Sequence, residues 1–259
     1  ATYLIRVSDT RGRQGRRFSY ALTVREARPD FNVRISPDSL TVRPGAGQSF
    51  TVTRERIDGF EGEIEIAIEN LPKGWIVSSP LVIEAGHERA TGTLFAIVGS
   101  VEPDEDAWKS VRVIASAKVG DQSVAKEIGN LGRIRLGKPP ELALKLVPTI
   151  FTSTETTAES SVLPVITVHP GETVPAWIRV TRQGHKDLVT FSVENLPHGV
   201  IVDNIGLNGV LLPAGETERE VFLSCDKWVA PMTRLCFARA NQAGQPTSQP
   251  VLLRVLARE

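Results

Sequence analysis

The sequence predicts an all-β chain, two β-sandwiches in tandem preceded by a β-hairpin. Three observations predict it. The hydrophobic period is two almost throughout, turn residues recur between short apolar runs, and one block of sequence returns 125 residues further on. At about 150 residues per domain, 259 residues also suit two domains.

The period is plainest in Glu63-Ile64-Glu65-Ile66-Ala67-Ile68-Glu69, where Ile64, Ile66 and Ile68 share one face and acids mostly take the other. That is a half-buried strand. Turn pairs (Pro44-Gly45, Asp58-Gly59, Lys73-Gly74, Ala85-Gly86, Gly120-Asp121) separate such runs, and no stretch reads as a convincing amphipathic helix. Many short strands between regular turns make a sandwich or barrel.

The repeat sets the organisation. Glu69-Asn70-Leu71-Pro72-Lys73-Gly74 returns as Glu194-Asn195-Leu196-Pro197-His198-Gly199, Pro44-Gly45 as Pro170-Gly171, and Ala85-Gly86 as Ala214-Gly215. So long a period means tandem whole domains rather than a solenoid. Gly137-Lys138-Pro139-Pro140 is the expected boundary, since two prolines stop a strand and stiffen a connector. The expected organisation is a hairpin over 1–28, one sandwich over 29–138 and a second over 139–259. Each sandwich has about the size of an immunoglobulin-like domain. Within the second, Thr152–Ser161 is rich in Ser, Thr and Glu and reads as a loop. In the expected hairpin, Tyr3–Val7 and Phe18–Val24 are short strands around a Gly- and Arg-rich tip; a lone hairpin is barely stable in water, so it should pair with the first sandwich or belong to a preceding domain.

Composition excludes some functions. Thirty basic and thirty acidic residues cancel, which argues against nucleic-acid binding and against an acidic disordered tail. No apolar run is long enough to span a membrane, and the opening ATYLIRV has no signal-peptide pattern. With no initiator Met, and a single Met (Met232), the chain reads as a piece of a larger protein whose export signal would lie upstream.

Tyr3-Leu4-Ile5-Arg6-Val7, Gly12–Gly15 and Phe18-Ser19-Tyr20-Ala21-Leu22-Thr23-Val24 resemble the closing strands of a bacterial pre-peptidase C-terminal domain. Pro29-Asp30-Phe31, Asp58-Gly59-Phe60-Glu61-Gly62 and, most specifically, Asn195 through Val210 resemble the immunoglobulin-like domains that follow it in large secreted planctomycete proteins. The resemblance covers nearly the whole chain. It implies an exported protein, extracellular or periplasmic, in which these domains are non-catalytic. Residues 1–28 would then be the remnant of the preceding β domain.

No constellation supports catalysis, and neither cofactor nor metal is expected. The four histidines, His87, His169, His185 and His198, sit beside turns without metal-ligand spacing and read as surface loop residues. No serine occupies a GxSxG elbow, and Gly45-Ala46-Gly47-Gln48-Ser49 lacks the lysine of a phosphate loop. Glu102-Pro103-Asp104-Glu105-Asp106 lacks the spaced ligands of a calcium loop and reads as a solvated turn. Arg11, Arg13, Arg16 and Arg17 form a basic tip better explained by solvation or ion pairs than by an anionic partner.

Cys225 and Cys236 are the only cysteines. They fall on consecutive interior strands, where a disulfide is sterically possible and two buried thiols are the alternative. In the strand from Val174 to Val180, Val174, Ala176, Ile178 and Val180 take the core phase, so Trp177 and Arg179 face outward as candidate ligand contacts. An outward Trp either stacks on sugar or packs against a linker or adjoining domain; the second is favoured. Trp75 is read as capping the first core, and Trp108 and Trp228 as packing residues. The expected role is a non-enzymatic spacer or adhesive module at the cell envelope, its partner a protein or an envelope polysaccharide. A carbohydrate-binding accessory of a secreted hydrolase is the alternative.

Overall fold

In the computed structural model the described residues are 2, 4–149, 163–203 and 210–257. The first half holds β1 (Asp30–Ser36), β2 (Ser39–Val42), β3 (Gly47–Ile57), β4 (Ile64–Glu69), β5 (Trp75–Val77), β6 (Leu81–Ile83), β7 (Arg89–Ala96), α1 (Glu105–Lys109), β8 (Arg112–Val119), β9 (Gln122–Gly129) and β10 (Arg133–Leu136). The second holds β11 (Leu142–Pro148), β12 (Val165–Val168), β13 (Thr173–Arg182), β14 (Val189–Glu194), β15 (Val200–Asp203), β16 (Val210–Leu212), β17 (Glu218–Cys225), β18 (Met232–Ala240) and β19 (Val251–Val255).

Strand order makes the repeat visible in three dimensions. One sheet runs β1-β3-β7-β5 and its counterpart β11-β13-β17-β15. The facing sheets run β6-β4-β8-β9 and β16-β14-β18-β19. Early strand β2 pairs in parallel with β10, as β12 does with β19. This is immunoglobulin-like organisation, with β1, β3, β7 and β5 on one sheet of the sandwich and β4, β8 and β9 on the other.

Alternation builds the cores. Ile64, Ile66 and Ile68 of β4 point into one hydrophobic core with Phe31, Phe50 and Leu94, and none of its buried members lies beyond Ile134. Val189 and Phe191 of β14 occupy the corresponding place in a second core, whose buried members run from Leu142 to Val255. Trp75 does close the first core, meeting Trp108 edge-on at 5.0 Å between ring centroids.

The repeated turns keep the same backbone. Gly74 and Gly199 take φ of 85° and 87°, and Asn70 and Asn195 both take 60°. Each of these asparagines donates from Nδ2 to a main-chain carbonyl, Asn70 to Ser110 O just before β8 at 3.2 Å and Asn195 to Leu235 O within β18 at 2.7 Å. That bond compensates a left-handed conformation that non-glycine residues otherwise avoid. Leu71 and Leu196, beside them, pack against their respective cores.

Two local expectations need correction, and the open alternative for the cysteines is decided. The hairpin over residues 1–28 is not formed: among the described residues there, no strand occurs, and Leu4, Phe18, Tyr20, Leu22 and Val24 are exposed. Its pattern is β-like, but among the described residues it pairs with no strand. The acidic turn becomes a short helix. Asp104 caps α1 by accepting from Ala107 N at 2.7 Å, acids fill the first turn and Lys109 the last, an arrangement favoured by the helix dipole. The disulfide is absent: Cys225 and Cys236 are free buried thiols. Cys225 ends β17, whereas Cys236 lies four residues into β18 on the opposite sheet.

Candidate functional site

The sandwiches meet face to face. Thr51, Thr91 and Thr93 lie on the outer face of the β3–β7 pair, since Phe50, Val52, Ala90 and Leu94 take the inward phase. On β18, Cys236, Ala238 and Ala240 point into the second core, which leaves Phe237 and Arg239 on the outer face. Phe237 is nevertheless wholly buried, and it belongs to neither core.

Backbone and side chains both close this seam. Gly47 N donates to Thr247 O at 2.9 Å and Thr247 N to Gly47 O at 3.0 Å, a small antiparallel bridge between the two sandwiches. Beside it the hydroxyls of Thr93 and Thr247 are in contact, both fully buried. Gly47 is required here because a Cβ would sit 2.2 Å from Thr247 Oγ1 and 2.6 Å from Thr93 Oγ1. Arg43 adds a bond from its guanidinium to Ala243 O at 3.2 Å.

Glu84 links the far side. Arg234, with its side chain 6% exposed, donates to Glu84 Oε1 at 2.9 Å and to Val82 O at 3.4 Å. The same carboxylate accepts from His198 N at 3.3 Å. A buried guanidinium is tolerable only when paired in this way.

Between these two sets of contacts lies an open cleft of about 660 Å³. Its walls are largely polar and include Glu84, His87, Arg89, Asn195, His198 and Arg239. His87 and His198, both in the lining, lie 5.7 Å apart between ring centroids, and His198 lies 5.1 Å from Trp228, which is outside the lining. Trp228 is 61% exposed, so it does not serve mainly as a packing residue as its sequence position suggested. Its six-membered ring lies against Gly199, where a Cβ would come within 2.7 Å of Cη2 and Cζ2. Arg239 makes no side-chain hydrogen bond among the described residues, and its Nε is buried without a partner.

The two positions singled out from sequence lie elsewhere. Trp177 is on the outer face of β13, in register with Val147 and Glu220, and is half-buried. Arg179 is exposed and paired with Glu218 at 3.2 Å. Both belong to the β11-β13-β17-β15 sheet, not the sheet that meets the first sandwich, and the cleft does not include them. The thiols stay chemically quiet: burial pushes Cys236 up to about 12 and raises Cys225 as well. Among the described residues no group of three or more His, Cys, Asp or Glu could hold a metal ion.

The sequence shows little of this site. His87 and His198 come from non-equivalent turns of the two copies, and Glu84 and Arg234 are 150 residues apart. One sign was present: Leu235-Cys236-Phe237-Ala238 is an unbroken apolar run, the mark of a strand buried on both faces.

No protein-family model matches the chain. No curated protein matches it either. Solved structures with similar strand arrangements include the D0-D1 domain of intimin, at 12% identity and a TM-score of 0.29, covering 86% of this chain and 97% of that one. Domains 4 and 5 of the S-layer protein SbsC align at 14% identity and 0.29, over 71% and 75% of the two chains. The fibronectin(III)-like modules of Clostridium thermocellum CbhA align at 11% and 0.23, over 88% and 94%. Likenesses this distant carry no argument; the topology stands on its own strand pairing. No helix among the described residues is long and apolar enough to cross a membrane.

Proposed function

We propose that this chain is a non-catalytic, rigid two-domain module of an exported multidomain bacterial protein, spacing its neighbours and offering binding surface at the cell envelope. The observation that carries this reading is the seam at Gly47 and Thr247, where main-chain hydrogen bonds run from one sandwich to the other beside the buried Phe237. A flexible pair of beads needs no such seam; a spacer that must hold one angle does. Buried thiols held on separate sheets suit an oxidising compartment, because neither is placed to form an unwanted bridge.

Small-angle X-ray scattering of the intact chain at low and high salt tests the reading. One rigid arrangement should fit both curves with an unchanged radius of gyration. A requirement for an ensemble of independently moving sandwiches would overturn it.

A further inference from the structure

We propose that the cleft between the two sandwiches binds a segment of acidic polysaccharide, with Trp228 as the stacking surface and Arg89 and Arg239 as contacts for its carboxylates. The inference rests on the non-catalytic reading above and names the partner of that module. Three features point to this chemistry. Trp228 rests its Cζ2 and Cη2 atoms near Gly199 and its ring 5.1 Å from that of His198 while the residue stays 61% exposed, which leaves indole surface for the C–H side of a sugar ring. Trp228 stands just outside the cleft lining, its ring meeting that of His198, which lines the cleft with His87, and the wall carries hydrogen-bonding side chains such as Thr51, Thr91 and Asn195. A peptide would look there for apolar side-chain pockets, and the walls are largely polar.

Charge selects an acidic sugar. Of the cations lining the cleft, Arg234 is already committed to Glu84. Arg239 makes no side-chain hydrogen bond among the described residues, and Arg89 stands exposed at the wall. A planar guanidinium with free donors fits a carboxylate in two-point fashion. Glu194, also in the wall, accepts from the Ser192 hydroxyl at 2.6 Å and keeps its negative charge, so the lining sets three arginines against two carboxylates.

Isothermal titration of the intact chain tests this, with oligogalacturonate as the acidic probe, xylo-oligosaccharide as the neutral one and poly-glutamate as the acidic peptide. Saturable, salt-sensitive binding of oligogalacturonate alone is expected, weaker by about tenfold in Trp228→Ala and in Arg239→Gln. Arg89→Gln, at an exposed position, keeps the charge test readable if Arg239→Gln disturbs the seam. The proposal is overturned by no binding, by equal binding of the neutral sugar or of poly-glutamate, or by affinity unchanged in Trp228→Ala or in both arginine variants. Failure to bind leaves the spacer reading intact. Release of new reducing ends during the titration would instead overturn the non-catalytic reading while leaving the site in place.

Discussion

Replacing Gly47 with alanine drives a methyl group into the seam between the sandwiches. The new Cβ would lie 2.2 Å from Thr247 Oγ1, 2.6 Å from Thr93 Oγ1 and 3.2 Å from Leu94 O. Ordinary contact needs about 3.5 Å, so the Thr247 segment must retreat by roughly 1 Å. The two main-chain bonds at 2.9 and 3.0 Å then stretch toward 4 Å and are lost. At about 1 kcal/mol for each bond, plus about 1–2 kcal/mol for overpacking, the variant should lose roughly 3–4 kcal/mol of interface stability. In a chain of this size that corresponds to roughly 6–15 °C in Tm, provided the sandwiches unfold together. Differential scanning calorimetry reads both quantities, and the single endotherm should split as the sandwiches uncouple. Thr247→Ala removes the tightest clash, so Gly47→Ala/Thr247→Ala should recover part of the loss in a non-additive way. A Gly47→Ala chain that melts like the parent, as one transition, would refute the seam.

Three further outcomes follow from other contacts. Glu84→Ala strands Arg234 in a buried site and should cost about 3 kcal/mol, well beyond an exposed pair, as read by chemical denaturation. Both thiols should resist iodoacetamide in the native chain and react together once it unfolds; because folding raises the Cys236 thiol to about 12, its contribution to stability holds below the unfolded thiol value and fades as pH climbs toward 12, a dependence that Cys236→Ala should remove. The Lys126 ammonium and the Phe31 amide hold Asp30 below the usual carboxylate range, so its contribution is present above the unfolded carboxyl value and lost as pH falls below about 4; Lys126→Met should flatten that acid slope by under about 1 kcal/mol, since the pair is partly exposed.

The fold was legible because its determinants are local. Ile64, Ile66 and Ile68 alternate within seven residues, and the turns at Gly74 and Gly199 announce themselves by Pro and Gly at fixed spacing. The same locality misled at residues 1–28, where Phe18, Tyr20, Leu22 and Val24 alternate correctly but pair with no strand among the described residues. The candidate site was illegible for the opposite reason. It is made where two repeats face each other, and no spacing rule brings Glu84 to Arg234 or His87 to His198. Trp177 was favoured over Trp228 because strand phase predicts an outward side chain, whereas the exposure of Trp228 follows from the loop that folds it onto Gly199. The Leu235–Ala238 run held the one readable trace, since alternation fails where both faces of a strand are covered.

The central claim is that the two sandwiches are held at one fixed angle. Double electron–electron resonance between spin labels at Asp121→Cys and Lys186→Cys measures it directly, with both sites exposed and both native thiols buried against labelling. A single narrow distance distribution, broadened by Gly47→Ala, is the predicted result. A broad distribution in the otherwise unaltered chain would contradict it.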